Sequence, residues 1–163
     1  MRKHFFIDME TLGTSSDAVI LSMAILCVPE ITENFPLNEE NFKRIMWCGK
    51  YWKLDRKSQL DFNRKIDKRT VMWWNQQGAE AKEVLSNTNC VNPQTALMDL
   101  HQYCYDKEFN PKEDVVWSRR MIDSIWYSSL CQTYNVEQLL PYWCFRDTAT
   151  ALELVTGDTN GSK

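Results

Sequence analysis

The stretch FFIDMETLGT (residues 5–14) is an apolar run that ends in two carboxylates and a Thr/Gly turn. Residues two apart on a β-strand point to the same face, so Asp8 and Glu10 are expected to project side by side. Two neighbouring anions repel each other unless a cation lies between them, and hard cations such as Mg2+ prefer oxygen ligands. The pair therefore predicts either a metal site at a strand end or a strand that turns an acidic face to water.

The bulk composition indicates one globular domain spanning residues 1–163, with 44% hydrophobic and 25% charged residues. No apolar run approaches the ~20 residues of a membrane span. The apolar start soon meets Asp8 and Glu10, which is untypical of a signal peptide, so we expect a cytoplasmic protein. Six scattered cysteines without a CxxC pair predict reduced thiols rather than a zinc site.

The charge distribution gives a weaker indication of partners. The net charge is −3, yet residues 50–69 hold eight Lys or Arg against three Asp, a local charge of +5. Such a stretch predicts either contact with phosphate or an ordinary solvated face.

The order of predicted elements is three strands, two helices, strand, helix, strand and the start of a helix. The strands are 5–11, 17–28, 44–48, 114–117 and 141–148, and the helices begin near residues 67, 93, 124 and 148. Short loops between the first three strands predict an antiparallel opening meander within a mixed α/β sheet. Trp73 and Trp74 are adjacent, so only one of them can pack inward.

A third carboxylate, Asp123, follows the strand at 114–117 and begins a helix. Ligand sites gather at such strand ends in α/β sheets, although an Asp at this position is also a common N-cap. With Asp8 and Glu10 it could clamp one or two metal ions for phosphodiester hydrolysis.

Several segments together resemble a known family. Residues 8–13 (DMETLG) with 18–20, and residues 117–123 (WSRRMID), resemble the first and second motifs of the DEDD 3′–5′ exonucleases. Residues 54–59, Arg64, 70–77 (TVMWWNQQ) and 145–148 (FRDT) resemble a narrower branch, the phage exonuclease A (DexA-like) proteins and the RNase T and RNase AS exoribonucleases. The resemblance extends from residue 5 to about residue 154.

This resemblance implies a ribonuclease H-like fold and stepwise hydrolysis at the 3′ end of single-stranded RNA or DNA. It implies a two-metal site for Mg2+ or Mn2+, with Asp8, Glu10 and Asp123 as catalytic metal ligands. The residues it offers for nucleic-acid contact are Met9, Thr11, Gln59, Trp73, Trp74 and Arg119. Stacking of a base on one of the two tryptophans is physically reasonable. Since relatives such as RNase T are dimers, a homodimer is one candidate oligomeric state, and a phage-encoded protein would act in the host cytoplasm.

Two departures from the family pattern stand out. Arg120 occupies a position that is usually Gly in the second motif. The third motif, a His and a following Asp on the last helix, is absent, because His4 and His101 lie elsewhere and residues 155–163 are expected to form a polar tail. Asp147 is either a fourth ligand or a strand end that caps the next helix.

The alternatives to an enzyme are a non-catalytic nucleic-acid-binding remnant and a structural or host-interaction protein on the same scaffold.

Overall fold

A computed structural model describes residues 2–158 of the chain. The strands are β1 His4–Thr11, β2 Ile20–Val28, β3 Lys50–Leu54, β4 Cys90–Val91, β5 Val115–Ser118 and β6 Phe145–Asp147. The α-helices are α1 Glu39–Trp47, α2 Arg56–Asp61, α3 Lys68–Asn75, α4 Ala79–Lys82, α5 Pro93–Asp106, α6 Ile122–Thr133 and α7 Thr148–Thr156. Short 3-10 turns occupy Glu83–Leu85, Arg119–Met121 and Tyr142–Cys144.

The strands form one mixed sheet in the order β4-β3-β2-β1-β5-β6. β1, β2 and β3 pair antiparallel, while β5 pairs parallel to β1 and β6 parallel to β5. The predicted α/β class, mixed sheet and antiparallel opening meander are therefore confirmed.

The predicted third strand at residues 44–48 is wrong, because this segment belongs to α1. The side chain of Asn38 caps the first turn by accepting from the Asn41 N–H at 2.9 Å. Ion pairs one turn apart, such as Arg44 with Glu40 at 2.8 Å, support the helix. The third strand follows at Lys50–Leu54, after a glycine turn.

The side chains of β1 alternate between the two faces of the sheet. Phe5, Ile7 and Met9 point into the main core, where the interior sides of α5 and α6 cover them. The alternate residues Phe6, Asp8 and Glu10 point to the opposite face, since successive side chains of a strand alternate. The acidic pair therefore lies on the face away from the main core.

A β-bulge lies at the end of this acidic stretch. The register runs from Glu10 opposite Ser22 to Thr11 opposite Ile20, so Leu21 has no partner. The extra residue redirects the chain, and Leu21 joins a smaller apolar cluster that includes Trp74 of α3. The bulge therefore fixes where the strand face ends and where α3 can pack against it.

Two basic residues of the stretch at residues 50–69 stabilise the fold. Arg64 is buried, and its guanidinium donates to the carbonyl of Ala18 at 2.6 Å. The ammonium of Lys53 donates to the carbonyl of Glu83 at 3.0 Å. The other basic residues are exposed or half-buried, so contact of this stretch with phosphate stays a prediction.

The cysteines are free thiols, as the scattered spacing predicts. Between residues 2 and 158, no helix is both long and apolar enough to cross a membrane.

Candidate active site

Asp8 and Glu10 lie above small residues of the neighbouring strand. Asp8 is opposite Ala24 and Glu10 is opposite Ser22 in the β1–β2 ladder. The small partners leave a cavity of about 310 Å³ in front of the two carboxylates. Its lining residues are Asp8, Glu10, Ser22, Ala24, Tyr51, Trp74, Ala81 and Val84.

Asp123 joins this pair through the backbone of β1. β5 pairs with β1 only as far as Phe6, which leaves the next part of β1 without a strand neighbour on that side. The carboxylate of Asp123 lies there and accepts a hydrogen bond from the Met9 N–H at 2.9 Å. Because Met9 lies between Asp8 and Glu10, the three acidic residues occupy one end of the sheet.

A strained turn brings Asp123 to this position. Arg120 and Met121 both have left-handed backbone, with φ of 57° and 63°, which is unfavourable for residues with a Cβ. The Arg120 N–H donates to the Asp147 carboxylate at 2.6 Å, which ties the turn to β6. Met121 holds the N-cap position of α6, so the alternative interpretation of Asp123 as an N-cap is wrong.

The surroundings of the three carboxylates raise the pKa of each one above its ordinary value. The side chain of Asp8 reaches solvent, but neighbouring groups displace part of its hydration. This partial burial raises the pKa of Asp8. Burial, and then the charge of Asp8, raise the pKa of Glu10. The same two causes raise the pKa of Asp123 to about 7. The site therefore holds an excess of negative charge that a bound cation would neutralise.

The donor chemistry fits a hard divalent cation, because all three candidate ligands are carboxylates. Their side chains do not converge on one point in this arrangement. Within the described part of the chain, no three His, Cys, Asp or Glu side chains form a group that could hold a metal ion. The fit to a cation thus rests on the carboxylate oxygens and on the mutual repulsion of the three carboxylates, and not on a preformed coordination geometry.

Two of the residues offered for nucleic-acid contact are in the interior. Gln59 is fully buried, and its amide accepts from the Ile20 N–H and donates to the Ile20 carbonyl, both at 2.8 Å. Trp74 is also buried, and its indole N–H donates to the Thr11 carbonyl at 2.9 Å. Both side chains hold the backbone of the β1–β2 hairpin. Gln59 has no exposed surface to offer a nucleic acid, whereas Trp74 borders the cavity in front of Asp8 and Glu10 and stays a candidate for contact.

The other candidates are placed differently. Trp73 is 52% exposed and packs edge-to-face against Trp74, with ring centroids 4.9 Å apart. Arg119 is exposed directly after β5. The side chains of Met9 and Thr11 are buried, so a substrate could reach only the backbone of these two residues. Trp73 and Arg119 are thus the exposed members of the predicted set.

Neither histidine contacts the carboxylates. His4 is four residues before Asp8 on β1, about 13 Å along the strand, and its Nδ1 accepts from the Trp117 indole at 2.9 Å. His101 is buried with its Nε2 2.6 Å from the Tyr127 hydroxyl. Asp147 caps α7 by accepting from the N–H groups of its first turn, which confirms the capping role.

Tyr51 is a site residue that the sequence did not indicate. It lies on β3 opposite Ala24, in the same cross-strand row as Asp8, and its ring borders the cavity. The sequence predicts the third strand at residues 44–48, before Tyr51, so it does not place Tyr51 opposite Ala24 and beside Asp8. The alternation of Tyr51 and Lys53 after the glycine turn would have been the signal.

The chain is similar to several nucleases. It is 29% identical over 121 residues to an exodeoxyribonuclease of Enterobacteria phage T4, a match that covers 72% of this chain and 50% of the relative. The fold matches cell-death related nuclease 4 (CRN-4) with a TM-score of 0.62 at 10% identity, over 100% of this chain and 50% of that protein. It matches the zinc-bound E. coli exonuclease I–single-stranded DNA complex with a TM-score of 0.54 at 11% identity, over 94% of this chain and 29% of that protein.

The chain spans half the length, or less, of these relatives. The structural matches confirm the ribonuclease H-like exonuclease fold. A family model described as the 3′-5′ exoribonuclease Rv2179c-like domain matches residues 3–162. The chain therefore belongs to this 3′–5′ exonuclease family.

Proposed function

We propose that this chain hydrolyses phosphodiester bonds from the 3′ end of single-stranded nucleic acid, with divalent cations held by Asp8, Glu10 and Asp123. The observation that carries the proposal is the hydrogen bond from Met9 N–H to Asp123, which brings the third carboxylate to the acidic pair. The names of the relatives support it, since the family is described as exoribonucleases and the T4 relative as an exodeoxyribonuclease. The E. coli relative was crystallised with single-stranded DNA and zinc.

The carboxylates would do most of the chemical work. Divalent cations, when bound, lower the pKa of an attacking water and neutralise charge on the phosphate; Mg2+ or Mn2+ are the ions proposed here. Asp123, with a pKa of about 7, would give up its proton when a cation binds. The Met9 N–H would hold the Oδ1 of Asp123 beside β1 in that state.

Among residues 2–158, no histidine lies beside the carboxylates to act as a general base for the attacking water. His4 bonds to the Trp117 indole and His101 to the Tyr127 hydroxyl instead. Loss of general-base catalysis lowers rates by on the order of 10²–10⁴-fold. We therefore expect slow turnover from this chain, with Asp8, Glu10 and Asp123 still required.

The direct test uses RNA and DNA single strands labelled at either the 3′ or the 5′ end, with Mg2+ or Mn2+ present. The proposal predicts early release of the 3′ label, and no release by the Asp8→Ala variant. Asp99→Ala is the matched control, because Asp99 is exposed on α5 and outside the site. Early release of the 5′ label, or release that survives Asp8→Ala, would overturn the proposal.

A non-catalytic nucleic-acid-binding protein is the second candidate, and the absence of a histidine beside the carboxylates favours it. Binding of single strands without any metal-dependent release would establish this alternative and overturn the nuclease proposal. Release that depends on Asp8 would exclude it.

A further inference from the structure

Two cysteines line a cavity of about 380 Å³ at one end of the sheet. Cys27 is on β2 opposite Phe5, and its side chain belongs to the main core, on the face of the sheet away from Asp8. Cys48 lies between α1 and β3. Cys27 is only 8% exposed, whereas Cys48 is exposed to solvent. One buried and one accessible thiol therefore border the same cavity.

The pairing of β2 with β3 brings these two cysteines together. The strands are antiparallel, and Ile25 is opposite Lys50. The same register, continued by two residues, places Cys27 opposite Cys48. The chain still follows β2 at Gly49, where an added Cβ would lie 3.2 Å from the Ile25 carbonyl oxygen. Opposite residues have Cα atoms about 4.5–5.5 Å apart, within the range of about 4.4–6.8 Å that disulfides require. The backbone therefore allows a disulfide between Cys27 and Cys48.

The hydroxyl of Tyr103 lies beside Cys27, where the pairing of β2 with β3 has ended. It accepts a hydrogen bond from the Cys27 N–H at 2.9 Å. Burial raises the pKa of Tyr103, the bond from the Cys27 N–H lowers it, and charge on the thiols of Cys27 and Cys48 raises it. Both thiols are thus within electrostatic range of one hydroxyl. Because Cys48 ends the exposed helix α1, its thiol can approach Cys27 without disturbing the pairing of β2 with β3.

The cavity is lined by positive charge. Lys3, Arg44 and Lys107 border it, and no Asp or Glu among residues 2–158 does. Lys3 and Arg44 are each paired with an acidic residue outside the cavity, at 3.4 and 2.8 Å. The Lys107 ammonium has no ion-pair partner in this part of the chain and lies 5.6 Å from the centre of the Tyr103 ring. Burial raises the pKa of Cys27, whereas Lys107 and Lys3 lower it. The cations therefore favour thiolate and attract anionic reagents.

We propose that Cys27 and Cys48 are a redox modification site, which closes to a reversible disulfide by exchange with a small anionic disulfide of the glutathione type. The carboxylates of such a reagent complement the cations that line the cavity. The other four cysteines do not line it. The site is on the opposite face of the sheet from the carboxylates, and the inference does not depend on nuclease activity.

Two exchange steps make the bond. The accessible thiolate of Cys48 attacks one sulfur of the oxidised reagent, forms a mixed disulfide and releases one reagent thiolate. Cys27 then loses its proton to solvent and attacks the sulfur of Cys48, which forms the Cys27–Cys48 bond and releases the second reagent thiolate. The two cysteines are oxidised, the disulfide of the reagent is reduced, and its released thiolates take up protons. Because burial raises the pKa of Cys27, the second step is the slower one.

The bond would tie α1 to β2. The segment that it closes, residues 27–48, contains the whole of α1. A disulfide around such a segment restricts the unfolded chain and so raises the stability of the folded one. We expect oxidation to raise the Tm by at least ~4 °C, and reduction with dithiothreitol should reverse the shift.

The test exposes the folded, reduced chain to oxidised glutathione at about pH 8, where a free thiol is partly ionised, and maps non-reduced peptides by mass spectrometry. Wild type should pass through a mixed disulfide at Cys48 and end with the Cys27–Cys48 bond. Cys27→Ser should stop at the mixed disulfide, and Cys48→Ser should react at neither position. Cys90→Ser is the matched control, because Cys90 is half-buried on β4 and outside the cavity, and it should behave like wild type.

A charge reversal tests the preference for an anionic reagent. Lys107→Glu should slow the reaction with oxidised glutathione roughly threefold and speed the reaction with cystamine, a cationic disulfide. Lys57→Glu makes the same charge change on α2, where Lys57 is exposed and outside the cavity, and it should alter neither rate. If Lys107→Glu reacted with both reagents at the wild-type rates, the assignment of an anionic reagent would be overturned.

The peptide map also distinguishes the competing products. A folded wild-type chain in which both thiols stay free, or in which Cys48 remains a mixed disulfide, would overturn the proposal. A bond from Cys27 to Cys104, or a dimer linked through Cys48, would overturn it as well. Cys48→Ser changes an exposed residue, so this variant keeps the test decisive even if Cys27→Ser does not fold, and thermal unfolding shows which variants are folded.

Discussion

The carboxylate of Asp123 accepts a 2.9 Å hydrogen bond from the N–H of Met9, the residue between Asp8 and Glu10. This bond fills the place that β5 vacates when it stops pairing with β1 after Phe6. A single contact thus links residues more than one hundred positions apart and makes the acidic end of the sheet. It also buries a carboxylate against two others, which disfavours its charged form.

Asp123→Asn should therefore stabilise the metal-free protein at alkaline pH. A carboxyl whose pKa is raised to about 7 in the folded state loses its stabilising contribution as the pH rises through that value. Asparagine keeps an oxygen for the Met9 N–H and carries no charge. We expect the Tm at about pH 8 to rise by at least ~2–4 °C, the shift that 1 kcal/mol gives in a chain of this size.

Calorimetry in EDTA measures this shift, and the same variant should show no nuclease activity. The control is Asp99→Asn, an exposed carboxylate whose replacement should leave the Tm unchanged. A lower Tm for Asp123→Asn than for wild type would contradict the electrostatic description of the site.

Arg120→Gly should stabilise the fold by about 1 kcal/mol, because glycine adopts the left-handed backbone at φ 57° without a Cβ clash. Arg119→Gly is the control, since Arg119 has no positive φ, and this variant should be neutral or less stable. Urea unfolding of both variants provides the comparison. Equal effects of the two substitutions would show that the turn is not strained.

Gln59→Ala should reduce stability rather than nucleic-acid affinity. The substitution leaves the buried N–H and carbonyl of Ile20 without their partners, at about 1–3 kcal/mol for each unpaired group. Denaturant unfolding should show a loss of about 2–6 kcal/mol. A folded variant of normal stability that binds single strands more weakly would restore the contact role that the structure excludes.

His101 should make the fold sensitive to acid. Burial lowers its pKa, and its Nε2 faces the Tyr127 hydroxyl, which already accepts from the N–H groups of Leu139 and Leu140. The contribution of neutral His101 is present above about pH 6.5 and is lost as the pH falls through the lowered value. His101→Gln should remove this dependence.

Asp123 titrates in the same range with the opposite sign, so the comparison belongs in the Asp123→Asn background. In that background, the Tm of the chain with His101 should fall on acidification, while the Tm of the chain with Gln at this position should change less. Parallel curves would contradict the assignment.

The hydrophobic pattern was sufficient to predict β1, β2, the helices from residues 68 and 93, and the existence of the strands β5 and β6, but not that these two strands pair in parallel. The pattern failed at residues 44–48, where aromatic and β-favouring residues suggested a strand. Local capping by Asn38 and pairs such as Arg44 with Glu40 determine a helix there. The hydrophobic pattern of five residues carries no information about a helix cap or an ion pair one turn away.

Motif spacing was sufficient to select Asp8, Glu10 and Asp123 as candidates, but it did not show which side chains of the motifs are exposed to solvent. Gln59 and Trp74 belong to the same motifs, and their side chains support the hairpin that carries the acidic pair. A sequence motif contains both residues that support a site and residues that contact its ligand, and the motif alone does not distinguish them. Tyr51 was missed because its position depends on the register of β3.

We propose that Asp8, Glu10 and Asp123 together bind divalent cations. Titration of the metal-free chain with Mn2+, followed by electron paramagnetic resonance of the free ion, measures this directly. The wild-type chain should take up Mn2+ more tightly as the pH rises through about 7, the pKa of Asp123, while folded Asp8→Asn and Asp123→Asn variants should bind it at least tenfold more weakly. Mn2+ uptake that is equal in wild type and both variants would contradict the account.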